Sequence, residues 1–137
     1  VAAMAKSFVN LLSPAKFPEP TQRACSRIVS AMLKYPELIG GSTRLDTMLM
    51  RSASGKFISK VGADGVWRCV VLPCQKWPTG IGIAPKMDED DEVLRQLGIL
   101  ESNDLPELSP MPIKNRRGNV VGRIESVVKL SDTHAHS

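Results

Sequence analysis

The sequence has 137 residues and is poor in the features that mark several protein classes. Its three cysteines, Cys25, Cys69 and Cys74, are an odd number, which excludes a fully paired disulfide framework and suits a reducing, cytoplasmic setting. Cys69 and Cys74 lack a second ligand pair at zinc-finger spacing, so they read as a buried strand cysteine and a free loop thiol. The two histidines, His134 and His136, lie in a polar C-terminal stretch, and residues 131–137 are expected to be a flexible tail. Aromatic residues make up 4% of the chain, and none lies beside the basic cluster of Lys114, Arg116 and Arg117. With a net charge of only +4, that cluster reads as a solvated loop and not as a nucleic-acid surface. No apolar run approaches the roughly 18–20 residues that cross a bilayer. Residues 1–12 are interrupted by Lys6, Ser7 and Asn10 and do not end in a small-residue cleavage site, so no signal peptide is expected. Gly-x-Ser-x-Gly, a glycine-rich phosphate loop and His-Glu-x-x-His are all missing.

What is present is globular. Hydrophobic residues are 42% of the chain and charged residues 23%, enough apolar material for a core. The length fits a single domain over 1–137, or part of a larger one. Met4, Phe8, Leu11 and Leu12 recur at helical spacing, so residues 2–12 are predicted to be a helix. Pro14 ends it, and Pro18 and Pro20 should keep the next stretch extended. Thr21 is the expected cap of a second helix over residues 22–34, closed by Tyr35-Pro36. After Gly40-Gly41, the pair Ser42-Thr43 should cap a short helix over residues 44–51.

Strands follow. Residues 56–61 and 66–72 are predicted to be antiparallel partners around the turn Ala63-Asp64-Gly65. Residues 80–85 should add a third strand. The acidic run 88–92 leads into a helix to about Leu97, and the proline-rich stretch 103–112 reads as a linker. A turn at Asn115–Gly118 precedes a last strand over residues 119–129. The expected class is α+β, with helices packed on one antiparallel sheet.

The chemistry-bearing stretch is Lys60-Val61-Gly62-Ala63-Asp64-Gly65. A lysine at a strand edge can steady a substrate carboxylate or move a proton, and flanking glycines let a ligand approach the backbone. An ordinary hairpin with an exposed lysine has the same spacing. The one Ser-x-x-Lys match, Ser13-Pro14-Ala15-Lys16, is a poor nucleophile pair, because its prolines deny it a helix.

Three ordered stretches carry a resemblance. They are Ile39-Gly40-Gly41-Ser42-Thr43-Arg44-Leu45-Asp46-Thr47-Met48-Leu49-Met50, then Gly55-Lys56-Phe57-Ile58-Ser59-Lys60-Val61-Gly62-Ala63-Asp64-Gly65-Val66, then Gly80-Ile81-Gly82-Ile83-Ala84-Pro85-Lys86-Met87-Asp88. Together with the late Pro112–Ile124 stretch, they resemble the C-terminal half of the L-asparaginase II family, of the Rhizobium etli type. The resemblance implies a fold related to serine β-lactamases and glutaminases. It also implies hydrolysis of L-asparagine to L-aspartate and ammonia.

In that superfamily a nucleophilic Ser-x-x-Lys faces a Lys-x-Gly on a strand edge. Lys60-Val61-Gly62 matches the latter, so the resemblance gives Lys60 a catalytic role and Gly62, Ala63, Asp64 and Gly65 the substrate-facing wall. Asp46 stands where family members often carry a cysteine, and is counted with the substrate-binding residues. The family's zinc is held by ligands in the first half, so no metal or other cofactor is expected in this chain. The nucleophile-bearing half has no counterpart here and Val1 is not an initiator, so a fragment is expected, completed by that half or a partner chain. A homodimer is compatible with this reading. Residues 88–97 are shorter than the family's acidic loop and helix. An inactive remnant or an interaction module is the alternative. Without the first half, Val66, Val70, Ile81 and Ile83 are expected to lose part of their cover.

Overall fold

Helical spacing and proline placement decide the first element. In the computed structural model, which describes residues 2–53, 55–63, 65–85, 92–101, 104–106 and 110–131, helix α1 runs Ala2–Leu12, as its apolar spacing predicts. A single 3-10 turn, Pro14–Lys16, follows it. Helix α2, Glu19–Lys34, starts earlier than expected. Pro18 sits at its N-cap and Pro20 inside its first turn, where a missing N–H costs nothing. Pro20 therefore begins the helix instead of extending the chain, and Thr21 is not its cap. A one-turn helix, α3 (Glu37–Gly40), was not anticipated; it fills the space between Pro36 and Gly41.

Helix α4 runs Leu45–Ser52. Thr43 does not cap it. Arg44 occupies the N-cap without a side-chain bond, and the hydroxyl of Thr47 donates back to the carbonyls of Pro36 (3.1 Å) and Gly41 (2.6 Å). That tie fastens α4 to the turn before it.

The strands are β1 (Phe57–Val61), β2 (Trp67–Val71) and β3 (Ile81–Ile83), antiparallel in the order β1-β2-β3. Phe57 pairs with Val71, Ser59 with Cys69, Lys60 with Arg68 and Val61 with Trp67. Because side chains alternate, Ile58, Lys60, Arg68, Val70 and Gly82 share one face. Helix α1 lies on that face: a methyl on Gly82 would sit 2.7 Å from the Ala5 carbonyl oxygen, and the Arg68 guanidinium lies 5.2 Å from the Phe8 ring centre. Ser59 and Cys69 share the other face, which α4 reaches. Phe57, Ile58, Cys69, Val70 and Val71 are all buried, so β1 and β2 are covered on both faces. This explains why residues 66–72 are apolar apart from Arg68. It also corrects the expectation for Val70, which is fully buried on the face where α1 lies, while Val66, Ile81 and Ile83 are half-buried.

Two compact units divide the chain, residues 1–89 and 90–137. In the second, helix α5 (Glu92–Gln96) carries buried Val93 and Leu94. The acidic run before Glu92 lies outside the described residues. The proline-rich stretch holds a strand after all: β4 (Met111–Lys114) pairs antiparallel with β5 (Val120–Ile124) around the turn 115–118. Pro112 is tolerated because a two-stranded ribbon consists only of edges. The architecture is therefore α+β with two antiparallel sheets among the described residues, not one. Strand β5 stops at Ile124 instead of 129. Beyond it, Gln96 accepts from the Leu130 N–H (2.8 Å) and donates to the Val128 carbonyl (2.6 Å), and no strand is formed there among the described residues. Residues 132–137, most of the expected tail, lie outside the described residues.

Candidate active site

The site is built on the free edge of β1. Gly62 N–H donates to the Val66 carbonyl (2.6 Å) and Leu72 N–H to the Lys56 carbonyl (2.8 Å), so the even-numbered backbone groups of β1 face β2. Phe57, Ser59 and Val61 therefore direct theirs off the open edge. An unpaired strand edge invites another strand unless something closes it.

Two side chains close it at Val61. The Asp46 carboxylate accepts from the Val61 N–H through Oδ2 (2.8 Å) and from the Ser59 hydroxyl through Oδ1 (2.9 Å). The Lys60 ammonium donates to the Val61 carbonyl. Asp46 stands in the first turn of α4, where the helix dipole favours a negative charge. It is 1% exposed and Ser59 fully buried. Cys69 lies across from Ser59; burial first, and the Asp46 charge second, push its thiol far above the usual range, so it is held as the neutral thiol. Cys25 is also buried and Cys74 exposed.

The turn after Val61 is tight. Val66 N–H donates to the Ala63 carbonyl (3.2 Å), and Gly65 takes φ 65°, a conformation that favours glycine. Gly62 and Ala63 are exposed and Gly65 is half-buried; Asp64 lies outside the described residues. The structure thus brings Lys60, Gly62, Ala63, Gly65 and Asp46 to one end of the sheet. Asp46 faces inward, with both oxygens engaged by the protein itself.

Sequence reasoning missed Ser59 and Arg68. Ser59 carried one usable signal: it is the polar residue in an otherwise apolar strand start. Arg68 pairs across from Lys60 and sets a second cation on the same face, its Nε buried without a hydrogen-bond partner. The Nε1 of buried Trp67, opposite Val61, likewise has none. Ser13 and Lys16, by contrast, are both exposed, on a 3-10 turn, with Lys16 against the Phe17 ring. Among the described residues no group of three His, Cys, Asp or Glu side chains is placed to hold a metal ion. None of the helices described is long and apolar enough to cross a membrane.

Fold and site together define an α+β domain that offers one lysine and a glycine-flanked turn at an open sheet edge. Residues 1–126 match the family described as L-asparaginase II, and the chain belongs to that family. A search of curated proteins gives no match.

Proposed function

We propose that this chain is the C-terminal, substrate-facing part of an asparaginase of the Rhizobium etli type, in a fold related to serine β-lactamases and glutaminases. It would hydrolyse L-asparagine to L-aspartate and ammonia in the cytoplasm, together with a nucleophile-bearing half supplied from outside these 137 residues. The observation that carries the reading is Lys60-Val61-Gly62 at the free edge of β1, in a chain matched to the family over residues 1–126. In this reading Lys60 stabilises negative charge beside the nucleophile and the substrate carboxylate, and the turn of Gly62, Ala63, Asp64 and Gly65 forms the wall of the cleft. A serine oxygen attacks the side-chain amide carbon, ammonia leaves, and water then cleaves the acyl-enzyme. Backbone N–H groups hold the oxyanion of both tetrahedral stages.

The zinc implied by the resemblance does not fit the residues described. Cys69 is buried and Cys74 exposed, and neither stands in a cluster of donors, so no step is routed through a metal here. The orphaned donors of Trp67 and Arg68, at the Lys60 end of the hairpin, support the view that this end is completed by further groups.

The test is ammonia release from L-asparagine. The chain alone should release none, because Ser13 and Lys16 lie exposed on a single 3-10 turn and not on an α-helix within a cleft. Addition of the first half of a family member should restore turnover. Turnover by the chain alone that vanishes in Ser13→Ala would sink the division of labour. Failure of every complementing half would favour the second reading, an inactive remnant that keeps the fold.

A further inference from the structure

Val61 is the middle residue of Lys60-Val61-Gly62, and both of its backbone groups point off the open edge of β1. Neither is left to solvent. Asp46 takes the N–H, and the Lys60 ammonium rests on the C=O. The ammonium is thus parked on a backbone atom whose own placement depends on the carboxylate. Asp46 is in turn fixed by the Ser59 hydroxyl and by its seat on α4, from the side opposite Lys60. Its two oxygens are consumed in this way, and its 1% exposure leaves no face for a ligand.

We infer that Asp46, seated by Ser59, is a positioning residue for Lys60: it holds the Val61 backbone on which the ammonium rests, and it does not itself touch the substrate. This rests on the reading of Lys60 given above only for what the positioned ammonium does. The clamp is a property of the fold.

The chemistry makes a sharp distinction available. Asparagine is isosteric with aspartate. In Asp46→Asn the amide oxygen still accepts from Val61 N–H, and the amide NH2 donates to the Ser59 oxygen, which reverses its role. A positioning role survives that exchange. A role as a charged ligand for a substrate ammonium does not.

The experiment is NMR on the full 137-residue chain. It follows amide exchange at Val61, with Ile58 and Val70 as internal references, and the Lys60 side-chain resonances. Asp46→Asn should keep Val61 exchange within about threefold of the parent and leave the Lys60 resonances in place. Asp46→Ala should speed Val61 exchange on the order of a hundredfold and shift the Lys60 resonances, with Ile58 and Val70 unaffected. If Asp46→Ala does not fold, Ser59→Ala serves in its place, with an increase at Val61 of about tenfold and a smaller Lys60 shift. Unchanged Val61 exchange and unchanged Lys60 resonances in the alanine variants would overturn the inference. So would Asp46→Asn behaving like Asp46→Ala. Titration of the parent with L-asparagine is read separately. If the Lys60 resonances ignore L-asparagine once the first half of a family member has been added, the substrate role of Lys60 fails, while the clamp is still decided by the variants in the chain alone.

Discussion

Replacing Gly82 with alanine tests how closely α1 is seated on the sheet. The added methyl would lie 2.7 Å from the Ala5 carbonyl oxygen and 2.7 Å from the Val9 Cγ2. Comfortable separations are about 3.5 Å or more, so about 0.8 Å must be found. Val9 can yield part of that by rotating. The Ala5 oxygen belongs to the helix backbone and yields only if α1 moves as a body. Movement of α1 disturbs Phe8, which is buried and lies under the Arg68 guanidinium. Overpacking of this kind costs about 1–3 kcal/mol. Against it stands about 0.4–1 kcal/mol from the reduced freedom of the unfolded chain. The net loss is about 0–2.6 kcal/mol, which lowers Tm by up to roughly 10 °C for a chain of this size. Urea and thermal unfolding followed by the fluorescence of buried Trp67 measure it. Gly122→Ala is the control, because its nearest neighbour is the Ile113 Cδ1 at 3.5 Å, an ordinary contact, so only the unfolded-chain contribution should remain, a gain of about 0.4–1 kcal/mol. A Gly82→Ala protein stabilised as much as Gly122→Ala, by the unfolded-chain contribution alone, would refute the close seating of α1.

Three thiols of different exposure predict a simple labelling pattern: Cys74 reacts at once with an aromatic disulfide reagent, and Cys25 and Cys69 react only as the protein unfolds. Cys69 also predicts an alkaline limb of stability. Its folded pKa is raised above the ordinary 9.0, so the unfolded chain loses the proton first. The stability tied to this thiol is complete below pH 9.0 and is lost as pH rises beyond it, by at most about 1.4 kcal/mol per unit. Denaturant melts at pH 8 to 10.5 should therefore show a shallower alkaline decline in Cys69→Ala than in the parent; equal slopes would remove the assignment. In an active complex with the nucleophile-bearing half that the proposed function calls for, Lys60→Ala should lower kcat on the order of a hundredfold, while Lys56→Ala, exposed and just outside β1, should be nearly silent. Matching kinetics for the two variants would return Lys60 to the status of a hairpin lysine.

Local chemistry determined much of this protein. The spacing of Met4, Phe8, Leu11 and Leu12 sufficed for α1, since a stripe at three and four residues has one regular solution. Asp64-Gly65 between two apolar runs sufficed for the β1-β2 hairpin, and the positive φ at Gly65 is the reason glycine stands there. Lys60-Val61-Gly62 is visible as three consecutive residues at the end of β1, but their spacing also fits an ordinary hairpin, and the role proposed for them comes from the resemblance alone. Boundaries set by proline were less legible. Pro20 breaks a helix interior but suits a first turn, and the choice between these depends on where α2 packs. Pro112 reads as a loop residue until Ile124 and Arg123 pair alongside it.

The role of Asp46 belonged to the tertiary structure alone. It lies fourteen positions before Lys60 in sequence, and nothing local says that its carboxylate meets the Ser59 hydroxyl and the Val61 N–H. Those contacts exist because α4 docks against the edge of β1, which long-range packing brings about and no short-range propensity encodes. The same packing buries Cys69 beside that carboxylate and seats α1 on Gly82. Sequence patterns name the residues able to do chemistry. Which of their atoms remain free to do it is decided only when distant elements close around them.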